Sequence, residues 1–168
     1  MNNSLITYFF GFLTVGLLLL ACNNSPDYSD VPTIEFVSIS NFDMVQNPLN
    51  SDTSVISFSF TDGDGDIGFE DGNINSNIFI VDNRTGDFFD RFRLPAIPPQ
   101  GANNGVSGQI NMVILNTCCV FPPQDSIPPC ESPSQFPTND LTFTIYMIDR
   151  AGNKSNEIST PSITLRCN

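Results

Sequence analysis

Val55-Ile56-Ser57-Phe58-Ser59-Phe60 alternates large apolar with small polar side chains. In an extended chain, successive side chains point to opposite faces. Ile56, Phe58 and Phe60 then share one face, and Ser57 and Ser59 the other. A helix cannot use this pattern, because at 3.6 residues per turn Phe58 falls on the far side of the axis from Ile56 and Phe60. The same signature recurs on either side. Ile34 to Ile39 precedes the stretch. Asn77 to Asp82 and Phe88 to Leu94 follow it, joined around Asn83-Arg84-Thr85-Gly86, a hairpin turn by composition. Gln109 to Leu115 is a fifth strand, and Leu141, Phe143, Ile145 and Met147 mark a sixth. Ile158 to Leu165 is the seventh, with Pro161 inside it, which suits an edge strand. No stretch beyond residue 33 shows a helical period. The chain is therefore expected to be all-β: an antiparallel immunoglobulin-like β-sandwich of about seven strands over residues 33–168. It lacks the Cys-Trp-Cys core of antibody domains, so the label denotes architecture only. A small jelly roll or open barrel is the alternative.

Composition agrees with one such domain. In 168 residues, Leu, Ile, Val and Phe make up roughly 30%, enough to build a core. There is no His, which removes Ser-His-Asp and Cys-His catalysis and His-ligated zinc. Eighteen acids against six bases give a net charge of −12. That balance argues against a nucleic-acid partner, whose phosphates demand Lys and Arg.

The N-terminal stretch reads differently. Leu5 to Ala21 carries no charge and ends Leu17-Leu18-Leu19-Leu20-Ala21 before Cys22. Its 17 residues are short for crossing about 30 Å of hydrocarbon but suit the core of a signal peptide. Leu19-Leu20-Ala21-Cys22 resembles the lipobox of bacterial lipoproteins. The resemblance implies a signal peptide over 1–21, cleavage before Cys22, and lipid on the Cys22 thiol and the new N-terminus. Two or three acyl chains hold a protein on a membrane stably, whereas one does not. Met1-Asn2-Asn3-Ser4 departs from the usual pattern by lacking Lys or Arg. An uncleaved transmembrane anchor is the competing reading. Residues 22–32 are polar and turn-prone, a tether of roughly 35 Å at full extension. A short acidic tether is similar to the export signal of surface lipoproteins in the Bacteroidota. This implies a lipid-anchored location at the bacterial outer membrane, with surface and periplasmic faces both open.

Two further segments carry the resemblance. Phe58 to Gly68, which includes Phe60-Thr61-Asp62-Gly63-Asp64-Gly65-Asp66-Ile67-Gly68, looks like a segment recurring in small Bacteroidota lipoproteins. Asp149-Arg150-Ala151-Gly152-Asn153-Lys154-Ser155 looks like the strand-turn of bacterial immunoglobulin-like modules. Both speak for location and fold. Neither fixes an activity, because sandwich modules host many.

Charge is uneven along the chain. Residues 22–83 carry eleven acids and no base, while residues 84–168 carry seven acids and six bases. The densest run, Asp62, Asp64 and Asp66 spaced by glycine with Glu70 and Asp71 behind, can turn several oxygens toward one point. Hard divalent cations take six to eight oxygens, which is why such spacing suits calcium. An EF-hand is excluded, because Ile67 occupies its glycine position and Asn73 its closing glutamate. If the strands alternate in direction, the loops after the second and sixth strands meet at one end. That brings Asp149 beside Asp62, Asp64 and Asp66 and predicts a Ca2+ site from these four, with Asn153 nearby. A solvated Gly-Asp turn is the alternative.

With Cys22 lipidated, Cys118, Cys119, Cys130 and Cys167 remain, an even number in an exported chain. They read as two disulfides at the end opposite the acids, with three connectivities possible. Strand direction favours one of Cys118 and Cys119 reaching Cys167 and the other Cys130, with a lean toward Cys119–Cys167. The bridges would hold a connection from Asn116 to Asn139 that carries six prolines and is long for a compact domain.

These features favour a non-enzymatic binding or structural module anchored by lipid, with an envelope protein or a glycan as partner. A glycan-binding accessory of a polysaccharide-uptake system is one alternative, although no Trp offers a sugar platform. A glycoside hydrolase using only carboxylates is another; it would need two of them about 5–9.5 Å apart across a cleft.

Overall fold

The computed structural model describes residues 27–47, 49, 52–98 and 105–167. The proposed signal peptide, Cys22 and the first part of the tether lie outside them. The described residues are all-β, with ten strands and one 3-10 turn, Pro123–Asp125, among them. In chain order the strands are β1 (Thr33–Ile39), β2 (Asp43–Val45), β3 (Thr53–Asp62), β4 (Ile78–Asp82), β5 (Phe88–Phe92), β6 (Val106–Leu115), β7 (Thr138–Leu141), β8 (Phe143–Met147), β9 (Ile158–Ser159) and β10 (Ile163–Arg166).

One layer is β1-β3-β6, antiparallel throughout. The other combines β5-β4-β8-β9 with β2-β10-β7. These two groups are continuous, because β7 and β8 are separated only by Thr142, and the Thr160 amide donates to Phe143 O (2.9 Å) across the break. Among the described strands, only β2 runs parallel to its neighbour, β10. The alternation seen in sequence is the alternation of burial. Ile56, Phe58 and Phe60 of β3 face Ile78, Ile80, Phe143, Ile145 and Met147 in a single hydrophobic cluster. Closing two such faces together removes their apolar surface from water, at about 25 cal/mol per Å2.

Seven expected strands become ten for physical reasons. The sixth splits into β7 and β8, and the seventh into β9 and β10. Between the pairs Leu141↔Ile163 and Thr144↔Ser159, one strand has two residues and the other three. Pro161 therefore sits in a bulge just past β9, the edge strand of its sheet, a place where its missing N–H breaks no ladder bond. β2 is an addition; its three residues are too few to show a period.

Strand direction sorts the loops onto two poles. Cys118 is bonded to Cys130 and Cys119 to Cys167 at one pole. There the Gln46 side chain accepts from the Cys119 amide (3.0 Å) and donates to Glu131 O (3.0 Å), knitting the Pro-rich connection to β2. Phe121 is buried and packs against Phe136 at 5.7 Å. Phe89 packs on Phe143, while its neighbour Phe88 is exposed beneath the Arg91 guanidinium.

Candidate metal centre

The opposite pole is acidic, and strand parity explains how. On β3 the inward residues are Ile56, Phe58 and Phe60, and the next position of that parity is Asp62. On β8 they are Phe143, Ile145 and Met147, followed by Asp149. Both core faces thus end in a carboxylate at the same pole. Asp62 is 0% exposed and Asp149 3%.

The loop after β3 folds back over Asp62. Gly68 has φ +89°, and a Cβ there would lie 2.3 Å from Pro95 O, so only glycine fits. Ile67 is fully buried, which explains why the EF-hand glycine position is apolar. Within this turn, carboxylate oxygens of Asp62, Asp64 and Asp66 all lie within 4.8 Å of one another. Asp62 is buried, Asp66 half-buried and Asp64 exposed, so the set runs from core to solvent.

Asp149 stands just outside that mutual set but close enough to load it electrostatically. Its Oδ1 accepts from the Asn153 amide (2.7 Å) and its Oδ2 from Asn153 Nδ2 (2.9 Å). Asn153 therefore holds the Asp149 carboxylate in place. The Ala151 amide donates to Asp66 Oδ2 (2.9 Å), tying the two acidic loops together.

Neither Asp62 oxygen has a donor in hydrogen-bond geometry, and Asp66 Oδ1 lacks one too. Burial pushes the Asp62 carboxyl up to about 6, with the negative charges of Asp64 and Asp66 adding to the shift; the Ile67 backbone opposes it, and Asp149 adds a smaller push. Asp66 is raised by burial, then by Asp149 and Asp64. No family model, curated protein or solved structure matches the chain.

The molecule supplies its own control. Asp82 also ends an inward strand face, at the cysteine pole, and is buried. There Arg84 meets it in a two-pronged ion pair, Nε to Oδ1 (3.0 Å) and Nη2 to Oδ2 (2.6 Å), and braces the Cys118 carbonyl with Nη1 (3.0 Å). A buried carboxylate is costly unless paired and hydrogen-bonded. Asp82 has its cation within the chain, and Asp62 has none among the described residues. Arg150, the nearest base in sequence to Asp149, sends Nη1 to Gly68 O (3.0 Å) instead. The donor set around Asp62 is all oxygen, the chemistry of a hard divalent cation such as Ca2+. Sequence reasoning found these residues by spacing. It did not find the burial of Asp62 and Asp149, although the parity of Phe58-Phe60-Asp62 and Ile145-Met147-Asp149 carries that signal.

Proposed function

We propose that the chain is a lipid-anchored, non-enzymatic binding or structural module of a bacterial outer membrane, whose sandwich is locked at one pole by Ca2+. The observation that carries the calcium reading is Asp62: a fully buried carboxylate, both oxygens without donors, aimed at two further carboxylates. Asp62, Asp64 and Asp66 are the proposed ligands, with Asp149 adding its charge beside them. Lipidation of Cys22 and the outer-membrane location rest on Leu19-Leu20-Ala21-Cys22 and the tether behind it.

Calorimetry of the mature chain in 1 mM Ca2+ and in chelator tests the ion. At an affinity near 0.1 mM, loading stabilises the fold by about 1.4 kcal/mol. For a domain of this size that raises the melting temperature by roughly 3–6 °C. Identical melts would overturn the calcium reading. Radiolabelled palmitate tests the anchor: the native precursor is expected to take up label in a bacterial host and Cys22→Ala to take up none.

A further inference from the structure

A cleft of about 370 Å3 opens beside the acidic turn, with Asp64 on its wall. This is within the size range of small-molecule sites, about 300–1,000 Å3. Asp62 closes the inner side of the carboxylate set, and Asp64 is its solvent-side member. Three aspartates supply three to six oxygens, while Ca2+ takes six to eight. Positions left open on such an ion would face the solvent-side Asp64, which the carboxylate set shares with the cleft.

The other walls are fixed in place and chemically mixed. Ile97 and Pro98 form an apolar side. Their strand of chain is pinned to Phe69 by Phe69 N to Leu94 O and Ala96 N to Phe69 O, both 2.9 Å. Glu70 and Arg150 complete the lining. The Glu70 backbone is held by Arg93 Nη1 (3.2 Å), and Arg150 by its bond to Gly68 O (3.0 Å). An acceptor, a donor, a carboxylate of the acidic turn and an apolar wall thus line one cleft.

Charge decides what class of ligand fits. The carboxylates of Asp62, Asp64, Asp66 and Asp149 exceed one divalent ion by two charges; Glu70 adds one more, and Arg150, whose charge acts on Asp66, removes one. Anionic ligands are repelled, and cationic ones compete with the metal. Neutral hydroxyl oxygens remain: they coordinate a hard cation and carry no charge of their own. A vicinal diol can fill two coordination positions while the ring's C–H face lies on Ile97 and Pro98. We propose that this cleft is a calcium-dependent site for a neutral saccharide, bound through a vicinal diol. It rests on the calcium reading above.

The mature chain is tested against immobilised albumin conjugates of mannose, galactose, glucose and fucose, with a galacturonate conjugate as anionic control. At least one neutral hexose is expected to retain the protein in 1 mM Ca2+, with retention falling tenfold or more in chelator. Glu70→Gln is expected to cut retention tenfold while leaving the calcium-induced rise in melting temperature unchanged. A calcium-induced rise without neutral-hexose retention, retention that survives chelator, or retention of galacturonate alone overturns the saccharide site and leaves the calcium reading intact. An unchanged melting temperature overturns the calcium reading, and the saccharide site with it.

Discussion

At the scale of single residues, Asp62 and Asp82 are a matched pair with opposite fates. Each is a buried carboxylate at the end of an inward strand face, but only Asp82 has a counter-charge, Arg84. Asp82→Asn leaves the Arg84 guanidinium half-buried and without its carboxylate, and is expected to cost roughly 3–5 kcal/mol. Asp62→Asn removes a repelled charge instead. In chelator it is expected to melt at or above the native temperature, and in Ca2+ to lose most of the metal's increment; thermal melts of both variants check this. The pH dependence has a definite sign. Asp62 is raised in the fold from its ordinary value of 3.8 to about 6, so folding favours its protonated form. The stability this contributes is complete below pH 3.8 and is lost as pH rises through 6, on the order of 3 kcal/mol. In chelator, the native chain is therefore expected to lose stability between pH 4 and 7 relative to Asp62→Asn, as read by denaturant melts across that range. Ca2+ reverses the trend, because its ligands must be deprotonated. A native-minus-variant difference flat with pH would show that Asp62 is not held protonated by the fold.

At the scale of elements, the legible features were those with a repeating local signal. Ile56-Phe58-Phe60 and Phe143-Ile145-Met147 declared themselves because burial follows alternation, and alternation is written in side-chain polarity. β2 escaped notice: Asp43-Met44-Val45 forms only because β10 offers it a parallel edge, a long-range event with no local trace. The bulge at Pro161 was hidden for the same reason, since it exists only relative to the partner strand. In the candidate site, spacing exposed the Asp62-Asp64-Asp66 turn, but the role of Asn153 as the clasp on Asp149 required geometry. Closing a 48-residue separation removes more unfolded-state entropy than closing one of 12. By the chain-entropy relation, Cys119→Ser with Cys167→Ser is expected to cost about 4 kcal/mol, against about 3 for Cys118→Ser with Cys130→Ser. Equal losses in denaturant melts would mean native-state packing, rather than loop closure, sets the difference. Gly63 ties the lead-in chain to the acidic loop: its amide donates to Ser29 O (2.8 Å), and a Cβ there would lie 2.4 Å from Tyr28 O. Gly63→Ala must push residues 28–30 off the loop. Hydrogen exchange at the residue 63 amide and across 28–30 is expected to accelerate while the β3–β6 ladder stays protected. Unchanged exchange would mean the lead-in chain does not depend on this contact.

At the scale of the whole molecule, that contact also sets the polarity of the proposed anchored protein. Residues 28–30 lie against the acidic turn, and β1 begins opposite Thr61, so the chain enters the sandwich at the acidic pole. Only five residues lie between Cys22 and Tyr28, a span of about 20 Å at full extension. A lipid on Cys22 therefore keeps the aspartates near the membrane and points the disulfide-braced, Pro-rich connection outward. Ile74, 94% exposed in the loop between β3 and β4, marks the near pole, and exposed Gln124 in the 3-10 turn marks the far one. In liposomes bearing the lipidated chain and a headgroup quencher, a dye at position 74 is expected to be quenched several-fold more than a dye at 124. Releasing the same protein with detergent should equalise the two. Equal quenching on the membrane would mean the tether swings freely. A stronger effect at 124 would mean the domain stands the other way up, with its acidic pole and the adjoining cleft facing outward.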